Sequence, residues 1–185
     1  MSYLDVLAHR KAHNLVLPIS VAQYHDMMVA GFIPEKTELI EGIIFRKMAK
    51  SPLHEYLAQT LFEFFQTRLD ERYLLRKEAP LTLRHSEPEP DISIVQGKRQ
   101  DFFHVHPQSA ELVIEIAVSS VELDRAKADV YAAAQIADYW IILAKEKLLE
   151  RYSNPMDGHY QTMQRFSKQD TLDTLCGPLL LEQLF

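Results

Sequence analysis

Two acidic residues interrupt segments otherwise built for burial. Glu115 sits inside Leu112-Val113-Ile114-Glu115-Ile116-Ala117-Val118, and Asp91 opens the run Asp91-Ile92-Ser93-Ile94-Val95 directly after Pro90. An ionised carboxylate in an apolar strand costs several kcal/mol unless it is paired, solvated or bound to a cation. Two carboxylates on adjacent strand ends would supply the oxygen ligands that Mg²⁺ (or Mn²⁺) prefers, with water and a phosphate oxygen completing the shell. A metal held there polarises a phosphodiester and supplies hydroxide at neutral pH. The alternative is structural: Glu115 in a buried ion pair with an Arg or Lys, and Asp91 capping a turn.

Such chemistry also needs a cation near the attacking water, to lower its pKa and offset charge growing on phosphorus. Lys127 is the candidate. By i±3 and i±4 spacing it shares a helical face with Leu123, Val130, Tyr131 and Ala134. The competing reading is a surface lysine that snorkels toward water and pairs with Asp124. Glu38 and Glu41 are further acids able to add a metal ligand or hold a water, or else to sit solvated at a strand edge. His54, in the first turn of a helix, is placed either to approach a phosphate or to be a hydrogen-bonded core histidine. His9 and His13 have a metal-capable i,i+4 spacing, and His104 and His106 alternate, but all four read as solvated tail or loop residues. Arg72, Arg76, Lys77, Arg84, Lys98 and Arg99 are the cations available to a DNA backbone, interspersed with acids as on an ordinary surface.

The elements that must position these groups follow from periodicity. Ser20 caps a short helix over 21–30, and 38–48 is strand-like with a turn or bulge at Gly42. Ser51-Pro52 starts a helix whose apolar residues Leu53, Tyr56, Leu57, Leu61, Phe64, Phe65 and Leu69 define one broad buried face. Strands are expected over 73–76, 81–84, 91–95 and 111–118, a helix over 122–134 and a strand over 139–143. A hairpin pairs 147–152 with 160–166 through a connection at 154–158. The segment around Glu115 is apolar on both pleat faces, the signature of a central strand covered on both sides. The pattern predicts an α/β domain with a mixed central β-sheet flanked by helices, preceded by an N-terminal extension over 1–18.

The 185 residues carry 20 Lys+Arg against 26 Asp+Glu, a formal charge of −6. That length suits a single domain over 19–185, and the charge argues against gripping nucleic acid by bulk electrostatics alone. It leaves room for an enzyme whose metal offsets local negative charge. Five well-separated glycines exclude a GxGxxG turn or a phosphate loop, and one Cys excludes disulfides and multi-cysteine metal sites. No apolar run approaches the ~18–20 residues of a membrane span, and the N-terminus lacks the pattern of a signal peptide. A cytoplasmic location is the resulting expectation.

Several blocks, in order, resemble the Uma family of bacterial restriction-endonuclease-like proteins, within the PD-(D/E)XK nuclease superfamily. Glu38-Leu39-Ile40-Glu41-Gly42 is similar to its E-L-I-(D/E)-G block, Ser51-Pro52-Leu53-His54 to S-P-x-H, and Pro90-Asp91 to its acidic strand. Val113-Ile114-Glu115-Ile116-Ala117 with Ser119-Ser120 resembles V-x-E-V-x-x-S-S. Asp124-Arg125-Ala126-Lys127, Tyr131-Ala132 and Tyr139-Trp140-Ile141 resemble D-R-x-K…Y-A…E-Y-W-I. The likeness covers about residues 18–185. It implies a restriction-endonuclease-like core, metal-dependent nuclease chemistry at Asp91, Glu115 and Lys127, DNA as partner and a homodimer. Where the superfamily places lysine two residues after the Glu, this chain has Ala117, so Lys127 on the next helix would take that role. The alternative function is an inactive fold serving as a nucleic-acid-binding or assembly module, and a third is hydrolysis of another phosphate ester.

Overall fold

Why these strands form one sheet is clearest at its centre. A computed structural model describes residues 16–119 and 121–185, so His9 and His13 of the expected extension, and Ser120, lie outside the described residues. The elements are α1 (Val21–Val29), β1 (Thr37–Ile40), β2 (Ile43–Arg46), α2 (Pro52–Gln66), β3 (Tyr73–Lys77), β4 (Ile92–Gln96), β5 (Leu112–Ala117), α3 (Glu122–Ala133), β6 (Asp138–Leu143), β7 (Leu148–Met156), β8 (His159–Ser167), β9 (Thr171–Thr174) and β10 (Gly177–Leu180). A six-stranded sheet runs β3-β4-β5-β6-β7-β8, and two hairpins, β1-β2 and β9-β10, stand beside it. Among the described residues only β5 and β6 pair in parallel, and α3 makes the crossover between them; the remaining ladders are antiparallel.

All six residues of β5 are buried. Its period-2 alternation splits them between two cores. Leu112, Ile114 and Ile116 pack with Leu57, Leu61 and Phe65 of α2 and with Trp140. Val113 and Ala117 pack with Val130 and Tyr131 of α3 and with Tyr139. Glu115, between them, therefore faces α3, the helix that carries Lys127. The β9-β10 hairpin closes the α2 side through Leu172 and Leu179, and the 3₁₀ turn after it through Leu181 and Leu184. No helix of the described residues is long and apolar enough to cross a membrane.

Two expectations are corrected. Residues 81–84 form no strand. Leu81 N–H donates to Pro88, Leu83 N–H to Ser86 and Thr82 N–H to Pro107. Prolines at 80, 88 and 90 remove the donors a second ladder would need, although Leu81 and Leu83 still point inward. The β7-β8 hairpin is longer than expected, with its turn confined to Asp157 and Gly158, both at positive φ as a two-residue hairpin turn requires.

The β1-β2 turn has the same form, at Glu41 (φ 48°) and Gly42 (φ 74°). A Cβ at Gly42 would overlap the Pro18 side chain and lie 2.9 Å from Pro18 Cα. Strained backbone and a steric clash together lead us to expect Gly42→Ala to destabilise by ~1–3 kcal/mol. Urea unfolding measures this, and a loss below about 0.5 kcal/mol would contradict it.

Candidate active site

The β4-β5 ladder ends at Ile92↔Ile114, leaving the Ile116 N–H without a strand partner on that side. Asp91 fills the gap with its side chain: Oδ2 accepts the Ile116 N–H at 2.8 Å and also lies 2.9 Å from His54 Nε2. His54 is held there because Ser51 caps α2 with its hydroxyl on the His54 N–H, and Pro52 begins the helix. Asp91 Oδ1 lies 3.2 Å from Lys50 Nζ. Burial works to raise the Asp91 pKa, but the His54 bond and charge, Lys50 and the Ile116 N–H outweigh it and hold the carboxyl below its usual range.

Lys127 is 4% exposed, so it does not snorkel. Its Nζ lies 2.9 Å from Glu38 Oε1, 3.0 Å from Glu115 Oε1 and 3.7 Å from Asp124 Oδ1. The Tyr131 hydroxyl, one turn along α3, donates to the same Glu115 oxygen at 3.1 Å. Burial acts to lower the lysine pKa, but Glu115, Glu38 and Asp124 raise it well above the ordinary range, so Lys127 is a fixed cation. Three carboxylates sharing one ammonium are short of positive charge. Burial, with Asp124, Asp91 and Glu38, outweighs Lys127 and pushes Glu115 up to about 8. Burial likewise raises Asp124 to about 6 against the pull of Lys127. The two strand acids thus have opposed protonation preferences, an arrangement found at functional sites.

A cleft of about 310 Å³ opens over this cluster. Glu38, His54, Asp91, Asp124 and Lys127 line it, together with residues 46–51, from the end of β2 to the cap of α2. Glu115 does not line the cleft and is joined to it through Lys127. Glu41 is outside it: its side chain accepts the Ser86 hydroxyl at 3.1 Å and its N–H donates to the same oxygen. The structure thus brings together Asp91, Glu115, Lys127, Glu38 and His54, and leaves Glu41 apart. None of the six cations singled out for a DNA backbone lines the cleft; Arg46, Lys47 and Lys50 do. These three are what sequence reasoning passed over; Asp124, read there as a partner for Lys127 and in the Asp124-Arg125-Ala126-Lys127 block, also lines the cleft. The one sequence signal of the three cations is their density just before the Ser51-Pro52 helix start.

The donor chemistry suits a hard divalent cation, since the lining acids are carboxylates and the cluster lacks positive charge. Among the described residues, no group of three or more His, Cys, Asp or Glu is already assembled as a metal cage. Mg²⁺ asks less than a cage, because it keeps several waters and takes one or two carboxylates plus substrate oxygens.

A mixed sheet covered by helices on both faces, with acids and a lysine gathered where β5 ends, defines a nuclease-like α/β fold. A crystal structure of a putative nuclease belonging to DUF820 from Anabaena variabilis ATCC 29413 has the same fold. Its TM-score is 0.76 at 17% identity, over 91% of this chain and 98% of that one. The family model Uma2, described as putative restriction endonuclease, matches residues 21–182. The chain belongs to that family. A search of curated proteins found no match.

Proposed function

We propose that this protein is a metal-dependent nuclease hydrolysing phosphodiester bonds of DNA, with Asp91 and Glu115 holding Mg²⁺ or Mn²⁺; Asp91 lines the cleft, and Glu115, behind Lys127, would have to turn toward it to complete the site. The observation that carries the reading is the Lys127 ammonium, buried against Glu115 and Glu38 in a cleft that also presents Asp91. When bound, the metal would polarise the phosphodiester and supply hydroxide near neutral pH. Lys127 stays charged and so orients the attacking water and offsets developing negative charge; it is not the base. Glu38 and Tyr131 fix the lysine and Glu115, while His54 and the Ile116 N–H fix Asp91. Arg46 and Lys47 of the cleft lining meet the incoming phosphates. A homodimer would supply a second such site for the opposite strand.

Purified protein assayed on single-stranded, linear duplex and supercoiled DNA should cleave with Mg²⁺ or Mn²⁺ and stop on chelation. Asp91→Ala should slow cleavage at least ~100-fold. Cleavage that survives both Asp91→Ala and Glu115→Ala would rule this site out.

One observation favours a second reading, a non-catalytic binding or assembly module. Both Asp91 oxygens and Glu115 Oε1 already face protein cations or donors. If Mn²⁺ leaves Tm unchanged while the protein still binds DNA at low salt, the module reading replaces catalysis.

A further inference from the structure

The cleft holds a second enclosed ammonium. Lys50 follows β2 and immediately precedes the Ser51 cap, so its backbone is pinned at the start of α2. Its Nζ lies 2.8 Å from Glu78 Oε1 and 3.2 Å from Asp91 Oδ1. It is shielded from water but directs no well-aligned hydrogen bond to any acceptor. Ion pairing at 2.8 and 3.2 Å holds it between the two carboxylates.

The two oxygens of Asp91 are thus held differently. Oδ2 is anchored by the His54 ring and the Ile116 N–H, both fixed by secondary structure. Among the described residues, Oδ1 is balanced by Lys50, a long, flexible side chain. A cation entering the cleft meets Asp91 at Oδ1, where Lys50 already sits. Glu78 offers Lys50 another place to rest, and the Glu78 N–H donates to the Asp91 carbonyl at 3.1 Å. That bond keeps the backbones of the two acids in register, so the ammonium can shift from one to the other by side-chain rotation.

We infer that Lys50 competes with the divalent metal for Asp91 Oδ1 and withdraws to Glu78 when the metal binds. This rests on the nuclease reading and makes Lys50 a positioning residue that sets metal affinity. A competing cation on a ligand weakens metal binding by the strength of the contact it must give up.

The test is calorimetric titration of Mn²⁺ alone into the full chain, without nucleic acid. Lys50→Met is expected to bind Mn²⁺ about five- to tenfold more tightly than the parent. Glu78→Gln, at a partly exposed position, leaves Lys50 only Asp91 to pair with and is expected to weaken binding. Lys47→Met removes the same charge from the same cleft away from Asp91 and should change affinity less than about twofold. Lys50→Met binding no tighter than the parent overturns the inference, as does Glu78→Gln binding as tightly or more tightly. Lys47→Met matching Lys50→Met also overturns it, because the effect is then bulk charge. Asp91→Asn separates the two readings: if the parent binds Mn²⁺ and Asp91→Asn does not, the metal site stands whatever Lys50 does. If neither the parent nor Lys50→Met binds Mn²⁺, both readings fall.

Discussion

Glu115→Gln is expected to abolish cleavage while leaving the metal-free protein at least as stable as the parent, with an advantage that grows as pH rises. The amide keeps the shape of the side chain and an oxygen for the Lys127 ammonium and the Tyr131 hydroxyl, but lacks the anionic charge that would hold a metal. Loss of that ligand should slow cleavage at least ~100-fold. The stability follows from where the proton sits. Glu115 has an ordinary value of 4.5 and is pushed up to about 8 in the folded protein, mainly by burial. Its contribution is fully present below 4.5 and is lost as pH rises through 8, because the unfolded chain then accommodates the charge better than the fold does. Gln carries no such loss. Unfolding in chelator should therefore show the variant and parent converging near pH 5 and separating in favour of the variant by pH 9. A variant less stable than the parent at pH 9, or one cleaving within tenfold of it, would contradict the assignment.

Lys127→Met should give the same loss of activity with the opposite effect on stability. Removing one partner of a buried ion pair leaves uncompensated charge, typically at a cost of ~3–5 kcal/mol. Here one deletion strands Glu38, Glu115 and Asp124 together, the first two within 3.0 Å of Nζ and the third at 3.7 Å. Without the ammonium, Glu115 and Asp124, whose carboxyls Lys127 holds down against burial, should take up protons more readily. The destabilisation is then greatest above neutral pH and relieved toward pH 5, where protonation replaces the missing cation. Denaturant unfolding at two pH values measures both its size and its sign. The double variant Lys127→Met with Glu115→Gln should recover part of the loss, since fewer buried charges remain unpaired. A loss below about 1 kcal/mol at pH 8 would mean that the cluster is hydrated and Lys127 is not its counter-ion. Together the two variants separate catalysis from stability: both lose cleavage, and only one loses the fold's support.

The main candidate residues were legible because they break a pattern. A glutamate inside an unbroken apolar strand and a lysine on an apolar helical face are each expensive unless they meet something. The sequence left open a surface Lys127; the packing of α3 on β5 brings its Nζ to 3.0 Å from Glu115 Oε1. Asp91 stood out for the same reason, at the head of a strand after a proline. Glu38 was harder, because a four-residue strand with charged neighbours reads equally well as an edge, and only the packed hairpin shows every β1 residue buried. Residues 81–84 misled because alternation of Leu81 and Leu83 reports side-chain direction and says nothing about the ladder. Their partner segment lacks the N–H donors that pairing needs.

The sequence by itself determined the α/β class, the central strand with its buried acid, the helix start at Ser51-Pro52 and three of the charged residues that the fold buries, Asp91, Glu115 and Lys127. Those are local facts, carried by periodicity, capping and the free energy of desolvation. The tertiary structure decided which oxygens face which cations. It placed Asp91 Oδ2 on the Ile116 N–H and His54, set Lys50 between Asp91 and Glu78, added Asp124 to the Lys127 cluster and left Glu41 outside the cleft. Residues such as Lys50 and Asp124 look ordinary in one dimension because charged side chains near helix starts are common. The Lys50 role arises from a contact across 41 positions of chain, to Asp91, which only chain packing specifies; the Asp124–Lys127 contact is local, and packing decides only that it is enclosed beside Glu38 and Glu115.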